Sequence, residues 1–106
     1  MNRETILNTA KQYVNVDRAD VHGSAEKNFG QVAAYWAAHL DTPITATDVA
    51  VMMTLFKLAR IKSNPQHIDS WVDGCGYLAC GGEIAAGGDA PKPAPMMPAP
   101  RTGQAI

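Results

Sequence analysis

Three carboxylates and two cations carry most of the chemistry this chain can offer. Asp69 and Asp73 stand four residues apart, so on a helix they share one face, with Tyr77 a further turn along. Glu26 belongs to an earlier helix, and Lys57 and Arg60 lie three apart on a third. Hard oxygen donors of this kind suit Mg²⁺, which takes one or two direct carboxylates beside water and substrate phosphates. Lys57 or Arg60 would then meet the phosphates of a nucleotide. The candidate site is therefore Glu26, Asp69 and Asp73 for a metal, with Lys57 and Arg60 for phosphate. No single residue is assigned a catalytic role.

The same residues have a plainer account. If Lys57 and the Asp69/Asp73 pair face each other across a helix hairpin, an ion pair between them fixes the register of the two helices. Glu26 falls in the first turn of its helix, where the helix dipole favours a carboxylate. Asp48 reads first as a helix-start residue, in the sequence Thr45-Ala-Thr-Asp48 of a capping box. His39 and His67 are expected to be exposed helix residues. His22-Gly23, just before a helix, occupies the kind of loop position where function often sits.

Other chemistries lack their residues. The chain has no CxxC, no HExxH and no Cys/His set at zinc spacing. It has no GxxxxGK[ST] and no GxGxxG after a strand. Ser24, Ser63 and Ser70 lack the elbow context of a nucleophile.

The elements that must position these residues are helices. Asn2 caps a first helix from Arg3 to about Val14, with Ile6, Leu7, Ala10, Tyr13 and Val14 on its apolar face. Ser24 caps a second, on which Phe29, Val32, Ala33, Trp36 and Leu40 form an apolar stripe ended by Asp41-Thr42-Pro43. The third, opening at the capping box and running to Lys62, is apolar on almost every side. Such a helix belongs in a bundle core or a subunit interface. Asn64-Pro65 is expected to cap the fourth, with Pro at its first position and Ile68, Trp71, Val72, Cys75, Leu78 and Ala79 on its apolar face. Gly74, Gly76, Gly81 and Gly82 weaken this helix, and their use would be the close approach of a neighbour or a ligand. No strand is required. The fold class is all-α: a compact bundle of about four helices.

Residues 1–86 are expected to form the helical domain, and 87–106, rich in Pro, Gly and Ala, a flexible tail. A domain of that size is marginal alone, which makes a homo-oligomer through the Asp48–Ile61 helix the expected partner relation. The formal net charge of −1 and scattered basic residues leave no footprint for a nucleic-acid duplex. No stretch approaches the roughly 20 apolar residues that span a bilayer. The N-terminal residues lack a signal-peptide pattern. Cys75 and Cys80, five apart on a helix, point different ways and fit free thiols in a reducing cytoplasm.

From Asp20 to Glu83 the chain resembles a family of small phage and prophage proteins of unknown function. The segments that carry the resemblance are HGSAEKNF, AAYW, TDVAVMMTLFKLARI and HIDSWVDGCGYLACGGE. That resemblance implies a location in the host cytoplasm and names no activity. More distantly, K-x-x-R-I at Lys57–Ile61 followed by D-x-x-x-D-x-x-x-Y at Asp69–Tyr77 is similar to phage nucleotide-modification-associated helical proteins. It also resembles the MazG-like all-α nucleoside triphosphate pyrophosphohydrolases, which hold Mg²⁺ with E-x-x-E on one helix and E-x-x-D on the next. Here Glu26 is followed three residues on by Phe29, and the later helix carries two aspartates four apart.

Three functions follow. The first expectation is an oligomeric helical interaction module in which the charges serve structure. The alternatives are a Mg²⁺-dependent enzyme cleaving the α–β bond of a nucleoside triphosphate, and a binder of nucleotides without turnover.

Overall fold

A computed structural model describes residues 1–17 and 24–87. Four α-helices account for most of them: α1, Arg3–Gln12; α2, Ala25–Leu40; α3, Ala46–Ser63; and α4, Ile68–Ala85. No strand occurs among the described residues, so the chain is an all-α helical bundle. Residues 18–23, with His22, and 88–106, the expected tail, lie outside the described residues.

Three of the four helices begin where a short polar side chain can satisfy free N–H groups. The Asn2 Oδ1 accepts from the Thr5 amide at 2.9 Å, and the Ser24 Oγ accepts from the Lys27 amide at 3.1 Å. At α3 the capping box is complete. The Asp48 amide donates to the Thr45 Oγ1 at 3.1 Å, and the Thr45 amide donates to the Asp48 Oδ2 at 2.9 Å. Helix α2 stops at Asp41, in the left-handed region at φ 54°, which aspartate tolerates better than most residues.

Two helix boundaries differ from those expected. The α1 geometry ends at Gln12, and the chain continues through a π-helical turn, Tyr13–Asp17. Helix α4 begins at Ile68 rather than at Pro65. The His67 amide donates to the Asn64 carbonyl at 3.1 Å, which makes Pro65 the second residue of a tight turn, where its fixed φ is equally suited. The Trp71 Nε1 donates to the Pro65 carbonyl at 2.9 Å and ties that turn to α4.

The main core lies between α2, α3 and α4. Phe29 and Ala33 of α2 are buried against Val49 and Ala50 of α3, with Trp36, Met53, Tyr77 and Ile84 packed around them. Ala10 of α1 and Val72 of α4 are also buried. Several residues expected inside lie outside: Leu7, Leu40, Trp71 and Leu78 are all exposed. On α4 the inward residues are the small ones, with Ser70 and Gly76 buried beside Val72. A helix that packs on small residues brings the backbones together and turns its large side chains away.

Gly81 shows why. A Cβ there would stand 2.6 Å from the Ala50 Cβ, closer than two carbons can approach. At Gly76 the corresponding distance to the Val14 Cγ1 is 3.2 Å, while Gly82 has open space. Helix α3 is thus covered on one side only. Its other side exposes Val51 (49%), Leu55 (57%) and Leu58 (52%), with Met52 and Phe56 beside them.

The contrast between two neighbouring glycines is testable by thermal unfolding. Gly82→Ala should stabilise the protein by about 0.5–1 kcal/mol through helix propensity. Gly81→Ala has the same propensity gain but should destabilise, because α3 must shift to admit the methyl group. Thr45→Ala should cost about 1 kcal/mol through loss of the cap. For a domain this small, that is a midpoint drop of about 4–8 °C.

Candidate functional site

Helices α3 and α4 form the hairpin that positions the charged residues. Counting outward from the turn at Asn64, Lys57 should fall level with the Asp69/Asp73 region, and it does. The Lys57 Nζ lies 2.9 Å from the Asp73 Oδ2, each side chain about one-fifth exposed (19% and 21%). The pair is partly withdrawn from water, so its attraction is screened less than that of a surface pair and its desolvation is incomplete.

The other candidates go elsewhere. Asp69 is exposed in the first turn of α4, and Glu26 is exposed in the first turn of α2. Both complement the positive end of a helix dipole. Among the described residues, no group of three or more His, Cys, Asp or Glu side chains is gathered in a way that would hold a metal ion. Glu26, Asp69 and Asp73 therefore do not form such a group. Arg60 is exposed, with its guanidinium carbon 4.9 Å from the centroid of the Phe56 ring on its own helix. The Lys57 Nζ lies 5.6 Å from the same ring. Phe56 thus offers its face to both cations. His39 and His67 are exposed, His67 as an N-cap without a side-chain capping bond.

A concave site lies on the opposite flank of α4. Helix α1, the π turn, the start of α2 and α4 enclose a cavity of about 530 Å³. Leu7, Lys11, Phe29, Asp73, Tyr77 and Glu83 are among its lining residues. Phe29 and Tyr77 stand with ring centroids 6.1 Å apart at an interplanar angle of 37°. Asp73 is the one residue of the candidate set that lines this cavity, and it reaches the wall already paired to Lys57. Glu83 and Lys11 had no place in the sequence-based site. Glu83 was within reach of it, since Gly76, Cys80 and Glu83 follow Asp73 at three, seven and ten residues along one face of α4. Lys11 comes from another helix, and no local spacing points to it. Neither Cys75 nor Cys80 is in a disulfide, and both are half-buried on the cavity wall.

Comparison with known proteins adds a family and no chemistry. A family model described as a domain of unknown function (DUF6378) matches residues 5–85. The gene 55 protein of Mycobacterium phage L5 is 42% identical over 74 residues, covering 69% of this chain and 47% of that protein. The gene 55 protein of Mycobacterium phage D29 is 35% identical over 77 residues, covering 73% of this chain and 51% of that protein. The chain thus spans about half the length of these curated relatives. No solved structure matches it.

The Lys57–Asp73 pair can be weighed by a double-mutant cycle. Asp73→Asn should cost about 1–2 kcal/mol, between the values for exposed and fully buried pairs, because it leaves the Lys57 ammonium without its counter-charge. Lys57→Met should cost a similar amount, and the double variant clearly less than the sum of the two. Additive losses in chemical denaturation would show that the two charges do not cooperate.

Proposed function

We propose that this chain, which belongs to the family of a domain of unknown function (DUF6378), is a helical interaction module that assembles with itself through α3. One observation carries this reading. Helix α3 has Val51, Met52, Leu55, Phe56 and Leu58 exposed together, on a protein whose buried apolar residues are few and mostly small. Contiguous exposed apolar surface on a small domain marks an interaction site. Burying it would also supply the core that a domain of this size lacks. In this reading Lys57 and Asp73 hold α3 on α4, and Asp69 and Glu26 serve their helix ends. Among the described residues, no helix is long and apolar enough to cross a membrane. We also propose a location in the host cytoplasm, a reducing compartment that suits two cysteines outside any disulfide.

A second reading is favoured by the cavity. Its volume falls in the range of small-molecule sites, and it combines an aromatic pair with Lys11, Asp73 and Glu83. This supports binding of a nucleotide, with or without Mg²⁺ and with or without hydrolysis.

Sedimentation velocity tests the first reading. The parent protein should associate at micromolar concentration. Phe56→Ser should dissociate it without loss of helical circular dichroism, whereas Asp69→Asn should leave it associated. Thermal unfolding against a nucleotide panel, with and without Mg²⁺, tests the second. A ligand that binds only the folded state, present at about one hundred times its Kd, adds about 2.7 kcal/mol. A Mg²⁺-dependent shift with one triphosphate, lost in Asp73→Asn, would favour the nucleotide reading.

A further inference from the structure

The exposed face of α3 has charged ends as well as an apolar middle. Asp48, Val51, Leu55, Leu58 and Lys62 are all exposed and recur at intervals of three, four, three and four residues. That period of 3.5 is the seam of two helices packed along their length. Asp48 and Lys62 each lie seven residues from Leu55, one toward each end of the helix. The seam is therefore apolar at its centre, acidic at one end and basic at the other.

Resting on the reading of α3 as a self-association surface, we infer that two copies of this chain pair their α3 helices antiparallel about a twofold axis at Leu55. In that arrangement Asp48 of each copy meets Lys62 of the other. Val51 packs opposite Ala59, and Met52 opposite Leu58, which sets larger side chains against smaller or flexible ones. The symmetry is isologous, so a single self-complementary surface closes the assembly at a dimer. The parallel alternative sets Asp48 on Asp48 and Lys62 on Lys62, and like charges facing each other select against it. It also aligns the two helix dipoles, which the antiparallel pair sets in opposition.

Disulfide trapping between single-cysteine positions distinguishes the arrangements, with the parent protein under the same oxidation as the control for Cys75 and Cys80. Leu55→Cys should link to itself, because the axis brings the two positions face to face. Val51→Cys should not, since its two copies stand about 12 Å apart along the helices, beyond disulfide reach. A mixture of Val51→Cys with Ala59→Cys should give the mixed dimer. Lys62→Glu should weaken the dimer several-fold in sedimentation equilibrium, and an unmoved affinity would overturn the pairing of the end charges. A dimer in which Val51→Cys links to itself overturns the antiparallel geometry and leaves self-association standing. A monomer at all concentrations, with no link at any of these positions, overturns both.

Discussion

The two long helices can lie against each other only because Gly81 carries no side chain where Ala50 fills the space. The 2.6 Å separation that a Cβ would impose sets how near α3 and α4 approach, and several other features follow from that approach. It brings Lys57 to 2.9 Å from Asp73 and packs Tyr77 and Ile84 around the Val49–Ala50 surface, where Phe29 and Ala33 of α2 close the core. Small residues at the contact also mean that the contact consumes little of the apolar surface of α3. The helix is held on one side by Ala46, Val49, Ala50 and Met53 and leaves larger side chains outside.

That division joins the fold to the proposed function. A helix apolar all round has to be covered all round. Within one chain, α2 and α4 cover one side of α3, and α1 packs mainly on α4. The uncovered side is where a second protein surface has the most to gain, and its spacing and end charges suit another copy of itself. The cavity is a separate matter, on the flank of α4 that faces α1. Asp73 joins the two regions through charge, since it lines the cavity and is bonded to α3 through Lys57. A ligand in the cavity that competed for Asp73 would therefore loosen the hairpin, and this gives the two functional readings a physical point of contact.

Helix starts were legible because capping is local: Asn2, Ser24 and the Thr45/Asp48 box all act within three residues of themselves. The start of α4 was misplaced for an equally local reason. Asn-Pro serves a tight turn as well as a helix cap, and a backbone bond from His67 to Asn64 decided between them. The candidate site was legible in one pair only. Lys57 and Asp73 are equidistant enough from the turn for the hairpin alone to bring them together. Glu26 and Asp69 were grouped with them by charge type, which carries no information about distance between helices.

The amino-acid sequence by itself determined that the chain is helical, where most helices begin, and that α3 has more apolar surface than one neighbour can cover. Those properties depend on side-chain type and spacing along one helix. Tertiary structure alone decided which side of each helix faces in. It chose the small residues of α4 over Trp71 and Leu78, and it brought Lys11 to the same cavity as Asp73 and Glu83. The reason is that burial belongs to pairs of surfaces. Gly81 on its own is only a weak helix former, and its value appears when Ala50 occupies the space that it leaves.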